Sequence, residues 1–149
     1  MNHENEVQLI ELPDIKLVGL SVTSPFQGHD PERVEAMKRL FYERWGEIRN
    51  AVRPERYVSP SFSSEVLFTY MICMEVDDLT DAPEGMIGFT IPARRYAKAK
   101  TKGDPYRVIG DCLQANGLRS DGRALALEIY RFENPAWPDE AEVLVPLQR

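Results

Sequence analysis

Ile10-Glu11-Leu12-Pro13-Asp14-Ile15-Lys16-Leu17-Val18 decides the fold, because its pattern returns as Phe89-Thr90-Ile91-Pro92-Ala93-Arg94-Arg95-Tyr96-Ala97. In each stretch two β-rich runs meet at a proline. Proline fixes φ and offers no N–H, so it belongs at a corner between strands rather than inside one. A second matched feature follows each corner. Gly28-His29-Asp30-Pro31 and Gly103-Asp104-Pro105 both read as helix starts, with Asp as N-cap and Pro at the first helical position. Two matched features in the same order point to an internal duplication. Pro13 and Pro31 are 18 residues apart, Pro92 and Pro105 only 13, so the first copy is expected to carry a five-residue longer loop around Ser24-Pro25-Phe26-Gln27.

The first helix is expected from Pro31 to Asn50, with Val34, Met37, Phe41, Trp45 and Ile48 at helical spacing and Glu32, Glu35, Lys38, Arg39, Glu43 and Glu47 on the other faces. The second is expected from Pro105 to Asn116, ending at Gly117, with Tyr106, Ile109, Cys112 and Leu113 as its apolar positions. Two strands should follow each helix: Tyr57 to Phe62 and Val66 to Val76, then Ala124 to Phe132 and Glu142 to Leu147. The turn-rich run from Asp77 to Gly85 separates the halves, about 7–77 and 84–148, within one domain spanning 1–149. The expected fold is α+β: two strand–helix–strand–strand units forming a mainly antiparallel sheet, with both helices on one face.

Composition narrows the function. At 149 residues the chain buries enough surface to fold without disulfides or a structural metal. No apolar run approaches the ~20 residues of a membrane helix, and the acidic start Met1-Asn2-His3-Glu4 is not a secretory signal, so cytoplasm is the expected location. Cys73 and Cys112 sit in apolar segments and read as reduced hydrophobes. A net charge of −6 disfavours direct contact with nucleic acid. Lys98, Lys100 and Lys102 alternate along one strand face and read as guards of a solvated sheet surface or edge. His3 and His29 have no partners at metal-ligand spacing, there is no phosphate loop and no nucleophile elbow, and no cofactor is expected.

The strand Leu125-Ala126-Leu127-Glu128-Ile129-Tyr130-Arg131-Phe132 carries the chemistry. Alternation puts Leu125, Leu127 and Ile129 on one face, and Ala126, Glu128, Tyr130 and Phe132 on the other. With the leucine face under the helices, the opposite face holds a carboxylate between two aromatic rings. That is how a protein would hold an apolar cation, with rings against its body and a carboxylate matching its charge. The bland alternative is an exposed strand glutamate paired with Arg131, Arg95 or another surface base. The run from Val66 to Val76 is apolar on both faces, with Phe68, Tyr70, Ile72 and Met74 sharing one, which suits core below and a pocket above. Trp137, between Pro135 and Pro138, reads as a lid or a cap on the core edge.

These segments together resemble a known family. Pro83-Glu84-Gly85-Met86-Ile87-Gly88-Phe89-Thr90-Ile91-Pro92, with Tyr96 after it, is similar to the middle segment of GyrI-like effector-binding domains. Leu127-Glu128-Ile129-Tyr130 and the closing Val143-Leu144-Val145-Pro146-Leu147 resemble their C-terminal signature, and the opening from Ile10 to Gly19 matches as well. The resemblance implies a duplicated core with a ligand cleft near a pseudo-twofold axis. In that family such domains sense drugs within AraC-type and MerR-type regulators, and they also occur alone. It places the family's ligand-binding glutamate on Glu128 and a pocket aromatic on Tyr70. Phe68, Met74, Trp137, Tyr130, Phe41, Trp45 and Tyr106 complete the candidate ligand-binding set. One departure stands out: many members carry a tryptophan early in the first helix, where this chain has Met37-Lys38. With about six residues before the first strand, no DNA-binding domain is expected.

The leading expectation is a stand-alone binding domain for lipophilic, cationic small molecules, with a homodimer left open. Two alternatives differ in class. One is a hydrolase of strained electrophiles using Glu128 with Tyr70 or Tyr130. The other is a gyrase-inhibitor-like protein-binding module, which needs exposed functional residues and no deep pocket.

Overall fold

Strand β1 (Val7–Leu12) and strand β2 (Ile15–Pro25) are joined by Pro13 and Asp14 alone, yet they do not pair with each other. The remaining elements of the computed structural model are α1 (Pro31–Arg44), β3 (Arg56–Ser63), β4 (Leu67–Val76), β5 (Ile87–Ile91), β6 (Arg94–Ala99), α2 (Pro105–Ala115), β7 (Ala126–Arg131) and β8 (Glu142–Pro146). The structure describes residues 7–148 except 26, 29, 65, 101–102 and 136–140. His3, His29, Lys102 and Trp137 lie outside the described residues.

The strands form one antiparallel sheet in the order β1-β6-β8-β7-β3-β4-β2-β5. Each half lends its first strand to the other: β1 pairs with β6, and β5 pairs with β2. This exchange dictates the shape. In a flat sheet β1 and β2 would stand roughly 29 Å apart at ~4.8 Å per strand. A two-residue corner reaches only about 11 Å. The sheet must therefore curl until its ends meet. Asp14 in one corner accepts a hydrogen bond from the Ala93 N–H in the other at 2.8 Å.

The curl corrects one expectation. Leu125, Leu127 and Ile129 do not pack under the helices; they join Leu17, Val58, Cys73, Tyr96 and Leu144 in a core inside the curled sheet. A closed interior with no helix in it has to be filled by strand side chains, and the leucine face does this. The helices lie on the outer face. α1 covers β2 and β4 through Met37 and Phe41, which pack with Val18, Leu20, Ile72 and Met74. α2 covers β6, β8 and β1 through Ile109 and Leu113, against Ala97, Ala99 and Val143. The central strands β3 and β7 lie between these two helix-covered regions, where they meet α1 and α2 through a few long side chains such as Phe41, Tyr42 and Tyr106.

Both helix starts form as their sequences require. Asp30 Oδ1 accepts from the Glu32 N–H and Asp104 Oδ1 from the Tyr106 N–H, each at 3.0 Å. α2 ends at Ala115, with Gly117 left-handed at φ 66°. α1 is shorter than expected. It stops at Arg44 and continues as a 3₁₀ turn over Trp45–Glu47, after which Ile48 is extended. Gly46 is a poor helix former inside that turn.

The five-residue insertion is also not a loop. β2 has eleven residues where β6 has six, and β4 has ten where β8 has five. Ser21 to Pro25 pair with Met71 to Leu67, and Ser61 to Ser63 pair with Tyr70 to Phe68, so the extra residues lengthen the β2-β4-β3 part of the sheet into a ribbon. Lys98 lies on β6, which is flanked by β1 and β8 and is not an edge; its ammonium faces Glu142 at 3.8 Å. Among the described residues no helix is long and apolar enough to cross a membrane. Both cysteines are free.

Candidate functional site

The pseudo-twofold axis can be located from register. Moving the Pro13 corner onto the Pro92 corner carries Leu17↔Glu75 onto Tyr96↔Pro146, and Val58↔Cys73 onto Leu127↔Leu144. Position 58 thereby maps to 127, and position 59 to 128. Ser59 and Glu128 are also direct partners across β3 and β7. The axis passes between them, on the strip that lies between the two helices.

Glu128 is held there by two phenols. The Tyr106 hydroxyl donates to Oε2 and the Tyr130 hydroxyl to Oε1, both at 2.7 Å. Bonds of this length to a carboxylate are charge-assisted. Tyr106 is placed by the Asp104 cap, which starts α2 at this point of the chain. Tyr130 is placed by the pleat, two residues along the same strand face. Register brings Tyr57 opposite Tyr130, and the rings stack at 5.3 Å. Tyr57 in turn shares a 2.9 Å hydroxyl contact with Tyr42 and packs against Phe41 and Phe132. The carboxylate therefore stands on an aromatic layer.

Two hollows open from Glu128, of about 360 and 420 Å³, within the size range of small-molecule sites. Phe68 and Glu128 line both. The first is completed by Pro31, Val34, Glu35 and Lys38 of α1, with Tyr70 and Tyr130. The second runs under Tyr106 toward Ser61, Phe62, Ala126 and Pro146. Phe68 and Tyr70 belong to the ribbon extension, so the insertion in the first copy supplies one wall of the cleft.

Burial shapes the acidity of these phenols. It pushes Tyr70 up to about 12, with the charge of Glu128 adding to the rise. Burial first, then the adjacent Glu128 charge, hold Tyr106 and Tyr130 well above the ordinary phenol value. Tyr57 is raised by burial and by its bond to Tyr42. The site thus presents neutral phenols around a carboxylate. Ser59 Oγ is fully buried with no partner of good geometry, although it lies near enough to the Tyr70 hydroxyl to lower that phenol against the dominant effect of burial.

Of the candidate residues, Glu128, Tyr130, Tyr70, Phe68 and Tyr106 come together at the cleft. Met74 and Phe41 are fully buried in the core beneath α1, away from both hollows. Trp45 packs at the edge of that core, stacked on Phe132 at 4.8 Å. Against the bland reading, Glu128 is half-buried and bonded to two phenols, and Arg131 pairs with Glu133 at 2.9 Å. Sequence reasoning missed Tyr57, Ser59 and the α1 residues Glu35 and Lys38. Helical spacing shows that Pro31, Val34, Glu35 and Lys38 share a face, but not that this face fronts a cleft. Among the described residues no cluster of side chains suits a metal ion.

Residues 8–144 match the family described as integron-associated effector-binding protein. The chain belongs to that family. No curated protein matches it. Solved structures share the fold at low identity. SAV2435, determined bound to tetraphenylphosphonium, is 15% identical, with a TM-score of 0.71 over 96% of this chain and 94% of its own. The C-terminal domain of EcmrR gives 15% and 0.68, over 96% and 97%. A hydrolase from Listeria innocua gives 12% and 0.59, over 96% and 92%. The chain is thus an effector-binding domain by family, and it shares its fold with these structures.

Proposed function

We propose that this effector-binding domain takes lipophilic organic cations in the cleft over β3 and β7, as a sensor or sequestering protein. The observation that carries the reading is Glu128, ionisable and half-buried, fixed by two phenol hydroxyls at the junction of two aromatic-walled hollows. Phe68, Tyr70 and Tyr130 offer rings to an apolar body, and Glu128 supplies a carboxylate common to both hollows. The fold relative SAV2435, solved with tetraphenylphosphonium, supports the choice of ligand class.

Titrating tetraphenylphosphonium into the protein, followed by calorimetry and tryptophan fluorescence, tests this. Saturable binding is expected, with Glu128→Gln weakening it by on the order of 2 kcal/mol, about 30-fold in Kd. Equal affinity in wild type and variant would remove the reason for assigning a cation to this site.

A hydrolase reading draws on the same triad, because Tyr106 and Tyr130 remain protonated donors beside a carboxylate. Turnover of an electrophilic substrate, lost in Glu128→Gln while binding persists, would distinguish it.

A further inference from the structure

Lys38 puts a charge of the protein's own into the proposed cation site. Its Nζ lies 5.7 Å from the centroid of the Tyr70 ring, in the hollow lined by Phe68, Glu128 and Tyr130. It also faces Glu35, one helical turn earlier, with Nζ 3.6 Å from Oε1. The Lys38 side chain is 32% exposed and the Glu35 side chain 54%. Ion pairs that exposed hold a side chain weakly. A flexible four-carbon stem lets the ammonium leave the ring for solvent.

We infer that Lys38 is a tethered cation that occupies the face of Tyr70 in the empty site and must withdraw before a ligand cation stacks there. The inference rests on the proposed binding function and names the residue that sets its charge selectivity. A lipophilic cation meets attraction from Glu128 and repulsion from Lys38 across the same hollow. Only ligands with enough apolar body to fill it can displace the ammonium. Small hydrated cations gain the charge of Glu128 but not the ring contacts, and stay excluded. Lys38 thereby acts as a specificity-determining residue through competition.

The test compares tetraphenylphosphonium binding by wild type, Lys38→Met, Lys38→Arg and Glu128→Gln, with Lys38→Gln as a second neutral variant should the methionine protein fold poorly. Neutral substitution is expected to tighten Kd by about three- to tenfold, the scale of one cation–π contact removed from competition. Lys38→Arg keeps a cation over the ring and should bind no tighter than wild type. Wild-type binding that weakens in Glu128→Gln but is unchanged or weaker in Lys38→Met and Lys38→Gln overturns the role of Lys38 and leaves the binding function standing. A gain in Lys38→Arg equal to that in Lys38→Met also overturns it. Absence of any wild-type binding overturns both.

Discussion

Ser59 and Glu128 occupy equivalent positions in the two halves and face each other across the β3–β7 pair. The chain thus has two geometrically matched places for a charged group and charges only one. The same correspondence carries Tyr130 back to Ser61 and, through the paired Asp-Pro helix starts, Tyr106 back to Glu32. The first half therefore lacks the phenols that hold a carboxylate. Duplication built the cleft, and divergence made it one-sided.

One ligand per chain follows from that asymmetry. Calorimetric titration with tetraphenylphosphonium is expected to saturate at one equivalent. Two equivalents of equal affinity would show that Ser59's side of the axis binds as well.

Alkaline titration reads the phenols directly. Burial raises Tyr70 to about 12, and Tyr57, Tyr106 and Tyr130 higher. A raised phenol favours folding while both states are neutral. Its contribution is whole below the ordinary value of 10 and falls as pH climbs from there toward the folded-state value. Tyrosinate absorbance at pH 11 should accordingly stay well short of complete until the protein unfolds. Glu128→Gln removes a neighbouring charge that raises Tyr106 and Tyr130, so their ionisation should move to lower pH. An unchanged titration curve in that variant would contradict the hydrogen-bonded triad.

Gly19 of β2 sits opposite Cys73 of β4, with the backbones in close approach. A Cβ built there would lie 2.0 Å from the Ile72 carbonyl oxygen and 2.6 Å from Cys73 Cα. Both are backbone atoms in the middle of β4, so no side chain can swing aside. Gly19→Ala should cost about 3 kcal/mol in urea denaturation, at the upper end of typical overpacking. A loss under ~0.5 kcal/mol, the scale of an ordinary surface substitution, would mean that β2 and β4 separate more easily than their register implies.

The sequence by itself determined the elements and their duplication. The prolines at 13 and 92, the Asp-Pro starts at 30–31 and 104–105, and the period-two pattern around Glu128 are local signals. Each acts through backbone geometry within a few residues, which is why they can be read without the fold. It also singled out Glu128, Tyr130 and Tyr70 as chemistry. Tertiary structure decided what those residues face. The strand exchange curls the sheet and sends the leucine face inward. Register across β3 and β7 sets Tyr57 on Tyr130 and Ser59 against Glu128. The packing of α2 on β6 and β8 brings Tyr106, 22 residues away, onto the carboxylate. Lys38 and Tyr70 lie on elements 32 residues apart and meet only because α1 packs on the lengthened ribbon. Alternation along a strand says which side chains share a face, while the partner of that face depends on contacts distant in sequence, which no local pattern encodes.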